Sequence, residues 1–193
     1  MNFKYCLWGP LVFSVHLEKR DLTKVKKLCK KDKTKDARSI LAASISDEFF
    51  IDKNKYVKIL EPYLNKYAEK YQWWYKRNIS QIKIESSWVN YMKNGEYNPP
   101  HCHSNCQLSS VLYIQVPKIL KKEHSKYVGT IKDGGPGSIS FMHGESKRFS
   151  LNNYTFFPEE GYLFIFPHDL FHYVTPFKSK CERISIAANF TIK

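Results

Sequence analysis

The sequence predicts an α+β chain that is mainly β: one domain with a mostly helical part over residues 1–80 and a β core over 81–193. Two observations predict it. Between Lys55 and Tyr75, Tyr56, Ile59, Leu60, Tyr63, Leu64, Tyr67, Tyr71 and Trp74 recur every three or four positions, the spacing of one helix face. From Gln81 onward the period falls to two, and turn residues punctuate short apolar runs to the end of the chain. Such runs without βαβ spacing imply an antiparallel sandwich or jelly roll, with the helices buttressing one face.

In chain order, Phe3 to Leu17 starts irregularly around Gly9-Pro10 and then offers a strand over Leu11 to His16. A helix follows, with Asp21 as its cap and Leu22, Val25, Leu28 and Cys29 on its inner side. Lys31 to Arg38 reads as a charged loop, and Ser39 to Ile51 as a short helix or a loop with hydrophobic anchors. In the long helix, Pro62 should kink the axis or mark the first turn. Its aromatic stripe is expected to pack on the sheet rather than to stack on a ligand. The strand candidates are Ile82 to Tyr91, Leu108 to Val116, Gly137 to Met142, Gly161 to Phe166, Phe171 to Thr175 and Arg183 to Ile192. Lys118 to Gly135, rich in Lys and Gly, is expected to be a mobile loop.

At 193 residues, with 42% apolar and 16% aromatic side chains, the chain can bury a full core. No apolar run approaches the ~18 residues of a membrane-spanning helix, and no leader pattern opens the chain. The five cysteines contain no C-x-x-C pair, which argues against a disulfide framework and for a reducing compartment. We read the chain as cytoplasmic, in a host cytoplasm if a phage encodes it. The net charge of +13 comes mostly from lysine and is concentrated in Lys19 to Arg38. That run could serve nucleic acid or another acidic partner, but lysines on a polar helix face are ordinary solubility chemistry, and we take the second reading.

The chemistry centres on Tyr97-Asn98-Pro99-Pro100-His101-Cys102-His103. In extended chain, alternate side chains share a face, so His101 and His103 can reach one metal ion while Cys102 turns away. The third ligand is expected to be His172, in Phe166-Pro167-His168-Asp169-Leu170-Phe171-His172. A zinc knuckle built from Cys102 and Cys106 is the weaker alternative, since their spacing suits no zinc ligand pair. His16, His124 and His143 receive no role, and His168 is expected to pack or to face solvent.

These stretches, with Ser109-Ser110-Val111-Leu112-Tyr113-Ile114, Gly161-Tyr162-Leu163-Phe164-Ile165-Phe166-Pro167 and Arg183-Ile184-Ser185-Ile186, carry a resemblance. From Ile82 to its end the chain is similar to the 2-oxoglutarate and Fe(II)-dependent oxygenases, within them to the prolyl-hydroxylase-like branch and its small phage and bacterial members. The resemblance implies a double-stranded β-helix, cupin-like, with iron at its mouth. It implies Fe(II) on His101, His103 and His172, three ligands that leave adjacent positions for a keto acid and dioxygen. It also implies 2-oxoglutarate as cosubstrate, its far carboxylate on the Arg183 fork with Ser185 and Tyr113 assisting. Tyr91 and Trp88 are candidates for the same pocket, and ascorbate is an expected supporting reductant.

One departure matters. The superfamily usually writes H-x-D where this chain has His101-Cys102-His103, and imidazole in place of a carboxylate leaves the metal one charge more positive and favours softer ions. Asp169 is a remote candidate for the missing carboxylate. Two functions follow: an oxygenase that hydroxylates a peptide side chain such as proline, or a small molecule; or a non-catalytic cupin-like module that binds metal or ligand. Arg183 and Tyr113 favour the first. A peptide or small-molecule substrate is preferred to nucleic acid, although Lys93, Lys118, Lys121, Lys122, Lys126 and Lys132 lie in loops that could reach the rim.

Overall fold

The computed structural model describes residues 9–127, 134–145 and 152–193. Its strands are β1 (Phe13–His16), β2 (Glu48–Phe50), β3 (Ile82–Met92), β4 (Asn98–His101), β5 (Leu108–Gln115), β6 (Ile139–Met142), β7 (Asn153–Phe156), β8 (Tyr162–Pro167), β9 (Phe171–Val174) and β10 (Arg183–Ile192). Its helices are α1 (Lys19–Lys26), α2 (Lys53–Tyr75) and α3 (Lys118–Ser125), with short 3-10 turns at Lys33–Lys35 and Arg38–Ile40.

Six strands form one antiparallel sheet in the order β1-β8-β5-β10-β3-β2, and four form a second in the order β4-β9-β6-β7. In each of β3 to β10 successive side chains alternate between two faces, so one face of each sheet can be buried against the other sheet. The chain steps repeatedly from one sheet to the other, β3 to β4, β4 to β5, β5 to β6, β7 to β8, β8 to β9 and β9 to β10, which is the winding of a double-stranded β-helix.

Register fixes the faces. Arg183 lies opposite Met92, Ser185 opposite Asn90 and Tyr113, and Ala187 opposite Trp88 and Val111, so these residues share the face turned to the second sheet. Val89, Ile186, Ala188, Phe190, Leu112 and Ile165 point the other way. There they meet Tyr56, Leu60, Tyr63, Leu64 and Tyr67 of α2, one continuous core in which the aromatic stripe serves as packing. The inner space holds a second cluster that includes Met92, Tyr113, Ile139, Phe141, Phe164, Phe166 and Val174.

Several expectations need correction. Asp21 does not cap α1: it lies buried in the first turn, hydrogen-bonded by Lys24 Nζ at 2.9 Å and by the Tyr63 hydroxyl at 3.2 Å, where it ties α1 to α2. Pro62 is not in a first turn, because α2 begins at Lys53 under a cap in which Asp52 accepts from the backbone N–H groups of Asn54 and Lys55. Lys118 to Gly135 is not one loop. Its first part is α3, which starts directly after Pro117 and is anchored by fully buried Leu120. Gly137 makes room for that anchor, since a Cβ there would stand 2.9 Å from Leu120 Cδ2 on a backbone with φ +77°. Phe3 to Trp8 lie outside the described residues.

Candidate metal centre

The second sheet sets the site. Pro99 and Pro100 lack the N–H groups of an interior strand, and β4 is an edge strand that uses one side only. Pairing β4 with β9 then places His101 directly opposite His172. His103 arrives differently from the expected alternation, because β4 ends at His101. Its peptide is held instead by His168: the His103 N–H donates to His168 O at 2.9 Å, and His168 Nδ1 donates back to His103 O at 2.8 Å. His168 therefore positions the loop that carries His103, a role the sequence reading did not assign. Its only advance signal was its place four residues before His172.

The donor atoms of His101, His103 and His172 all lie within 4.8 Å of one another. His103 Nε2 and His172 Nε2 face each other at 3.3 Å. Two nitrogens bound ~2.1 Å from one metal stand about 3.0 Å apart at a right angle and about 3.4 Å apart at a tetrahedral angle, so the spacing suits a shared ion. His101 Nδ1 lies 2.7 Å from Pro99 O and His172 Nδ1 lies 3.0 Å from Leu170 O. A carbonyl only accepts, so both rings carry their proton on Nδ1 and present the Nε2 lone pair. The donor set is all imidazole: among the described residues no carboxylate or thiol joins it. Asp169 and Cys102 are exposed, and Cys106 is buried apart from the three rings.

Burial, reinforced by the neighbouring His101, pushes His103 down to about 4 and His172 down to about 3, and burial lowers His101 as well. All three are neutral at physiological pH and available as ligands. Protons compete for a ligand only below its folded-state pKa, so metal affinity should survive as pH falls through 6.5 and fail as it nears 4. A Co(II) titration is expected to give affinities at pH 6 and pH 7.5 within a few-fold of each other. Three imidazoles titrating near the usual ~6.5 would instead lose about fifty-fold over that interval.

A groove of about 410 Å³ opens beside the rings, lined among others by Trp88, Asn98, His101, His103 and Glu48. The Trp88 ring lies 6.3 Å from that of His103. Tyr91 does not reach the groove: strand alternation sends it to the opposite face, where it packs on Phe49 beneath Lys31. Lys93, Lys118, Lys121, Lys122 and Lys126 do not line the groove, and Lys132 lies outside the described residues. A larger concavity of about 700 Å³, lined by Tyr67, Tyr71, Pro167 and Asp169, contains none of the three histidines.

Arg183 is 2% exposed, deeper in the same interior. Its Nη1 donates to Gly137 O at 2.9 Å and its guanidinium lies over the Tyr113 ring at 5.3 Å from the centroid. Arg183 Nε and the hydroxyl of fully buried Tyr113 have no hydrogen-bond partner. Ser185, 2% exposed, lies on the same inner face, two residues along β10 from Arg183 and opposite Tyr113. Burial lowers the Arg183 pKa, and among the described residues no carboxylate pairs with it. A buried cation with a free donor, beside a buried free hydroxyl, suits a carboxylate ligand.

The sequence model of a family described as "Putative 2OG-Fe(II) oxygenase" matches residues 86–189. No curated protein sequence matches. Among solved structures, a Pseudomonas putida prolyl-4-hydroxylase is similar, with a TM-score of 0.59 at 12% identity over 94% of this chain and 92% of that one. A viral collagen prolyl hydroxylase from Paramecium bursaria Chlorella virus-1, solved with 2-oxoglutarate, gives 0.53 at 14% over 93% and 94%. A Trichoplax adhaerens prolyl hydroxylase, solved with a hypoxia-inducible-factor peptide, gives 0.59 at 13% over 95% and 83%. At such identities these structures speak for the fold.

Proposed function

The chain belongs to the 2-oxoglutarate and Fe(II)-dependent oxygenases, and from that premise we propose that it hydroxylates a peptide side chain or small molecule at a centre of His101, His103 and His172. Arg183, with Tyr113 and Ser185, receives the far carboxylate of 2-oxoglutarate. The observation that carries this reading is the unpaired, buried Arg183 Nε beside the unpaired Tyr113 hydroxyl, since a site that only stored metal would have no use for a carboxylate clamp.

When bound, Fe(II) and the keto acid supply the oxidising chemistry: one oxygen atom of O2 goes into succinate as CO2 is lost, and the other goes to the substrate carbon. The chain's own residues do the rest. His101 and His172 are fixed by their Nδ1 donations and hold their lone pairs forward, while the His168 clamp aims His103. Three neutral imidazoles would offset none of the ion's charge, so a bound keto acid would meet one positive charge with its near carboxylate while Arg183 meets its far one. Arg183 answers the distal carboxylate with a planar fork over Tyr113, itself part of the apolar cluster with Phe141, Phe164 and Phe166. Trp88 forms a wall of the groove where substrate would lie.

Calorimetry with Mn(II) in place of iron, without oxygen, tests the reading. Binding of 2-oxoglutarate is expected only when metal is present, at micromolar to sub-millimolar concentration. Metal binding with no 2-oxoglutarate binding at millimolar concentration would instead favour a metal-binding module, the reading that the His103 departure keeps open.

A further inference from the structure

The groove beside the three histidines is unlike the rest of the surface. Lys and Arg make up 31 of 193 residues and give the chain a net charge of +13, yet among the described residues that line this groove none is Lys or Arg. What lines it instead is acceptor chemistry: Glu48 and Glu85, with the amides of Asn98, Asn105 and Asn189.

Glu48 is the unusual member. It stands on the inner face of β2, cross-strand from Asn90, and is 1% exposed. Its Oε2 has no hydrogen-bond partner, and neither do Asn98 Oδ1 in the same groove or Asn90 Oδ1 behind it. Buried acceptors are normally satisfied, so Glu48 from the first sheet and Asn98 from the second, both lining the groove, call for a donor that the described residues do not provide. Among the described residues Arg38 is the cation whose charge acts on Glu48, but its guanidinium is taken up by Asp36, at 2.9 Å from Nε to Oδ1 and 2.6 Å from Nη2 to Oδ2. A role for Glu48 as the missing metal carboxylate does not fit, since the ligand cluster contains imidazoles alone.

We propose that this groove takes a peptide carrying a cationic side chain, an ammonium or a guanidinium, and that Glu48 receives that cation. The surrounding asparagine amides suit the peptide backbone on either side, since each offers both an acceptor and donors. Burial, and then the nearby Glu96 carboxylate, push the Glu48 pKa up to about 7, so a bound cation would restore the ionised form that burial disfavours. The fate of the bound peptide rests on the oxygenase reading; its selection by charge does not.

The test uses the full chain loaded with Mn(II) and 2-oxoglutarate, without oxygen, and three capped pentapeptides, Ac-Ala-Gly-X-Gly-Ala-NH2, with lysine, norleucine or glutamate at X. The lysine peptide is expected to bind at least tenfold more tightly than the norleucine peptide, and the glutamate peptide most weakly. In Glu48→Gln, shown to be folded by circular dichroism, the lysine preference should fall to within about twofold of unity. A flat or reversed ranking in the natural chain, no binding of any peptide at millimolar concentration, or a preference that survives in Glu48→Gln would overturn the proposal. If Glu48→Gln does not fold, the natural chain's ranking decides alone. Lysine preference without 2-oxoglutarate binding would sink the oxygenase reading and leave this one standing; the reverse pattern would sink only this one.

Discussion

His172→Ala is expected to abolish metal binding and all turnover. The argument is geometric and chemical together. His172 is the most deeply buried of the three imidazoles, its ring lies 4.2 Å from that of His101, and its Nε2 lies 3.3 Å from His103 Nε2. Removing it would leave two of the three proposed ligands and a hole where the third stood. Loss of a residue that merely orients a ligand costs about 10–100-fold in metal affinity, so loss of the ligand itself should exceed that. His172 also packs against Phe166 and Phe141, with ring centroids at 4.8 and 6.2 Å, so the variant's fold must be checked by circular dichroism. His103→Asp provides the contrast: it restores the family's usual carboxylate and should keep metal while weakening the preference for softer ions. Inductively coupled plasma mass spectrometry on the purified variants reads both outcomes.

Arg183→Lys is expected to bind metal normally and to lose 2-oxoglutarate affinity by about ten- to a hundredfold. A hydrogen bond to a charged group contributes about 1.5–3 kcal/mol, and an ammonium cannot reproduce the paired geometry of the guanidinium fork. The buried setting sharpens the effect. Arg183 Nη1 is already committed to Gly137 O, which fixes the plane of the fork and leaves Nε as the free donor. Lysine would have to choose between that carbonyl and the ligand. Calorimetry with Mn(II) separates the two affinities, and an unchanged 2-oxoglutarate affinity would remove Arg183 from the proposed clamp.

Much of this was legible in the sequence because strands announce themselves by alternation. Arg183 to Ile192 was read with its observed bounds, and the other five strand candidates differ from the observed strands by at most two residues at either end. The pairing of His101 with His172 was not readable, since register between strands far apart in sequence comes from the packed sheets. The three-residue strand β2 is too short to show a period, so Glu48 and its inward direction stayed hidden. Strand β4 was obscured by Pro99-Pro100, which only its edge position permits. Tyr91 was misassigned against the parity already visible in Trp88 to Met92, where even positions face inward and odd ones outward. The helix α3 was missed because lysine and glycine dominate its surroundings, while the single buried Leu120 that holds it finds its seat against distant Gly137.

The central claim is that three imidazoles and the Arg183 clamp together make a working oxygenase centre in spite of the absent carboxylate. Succinate formed from 2-oxoglutarate by the purified chain, with Fe(II), ascorbate and air, measures it most directly. The account predicts succinate release that requires iron, stops when zinc replaces iron, and is lost in both His172→Ala and Arg183→Lys at low 2-oxoglutarate. Succinate release that is absent from the iron-loaded natural chain, even across a broad peptide panel and with 2-oxoglutarate demonstrably bound, would contradict it.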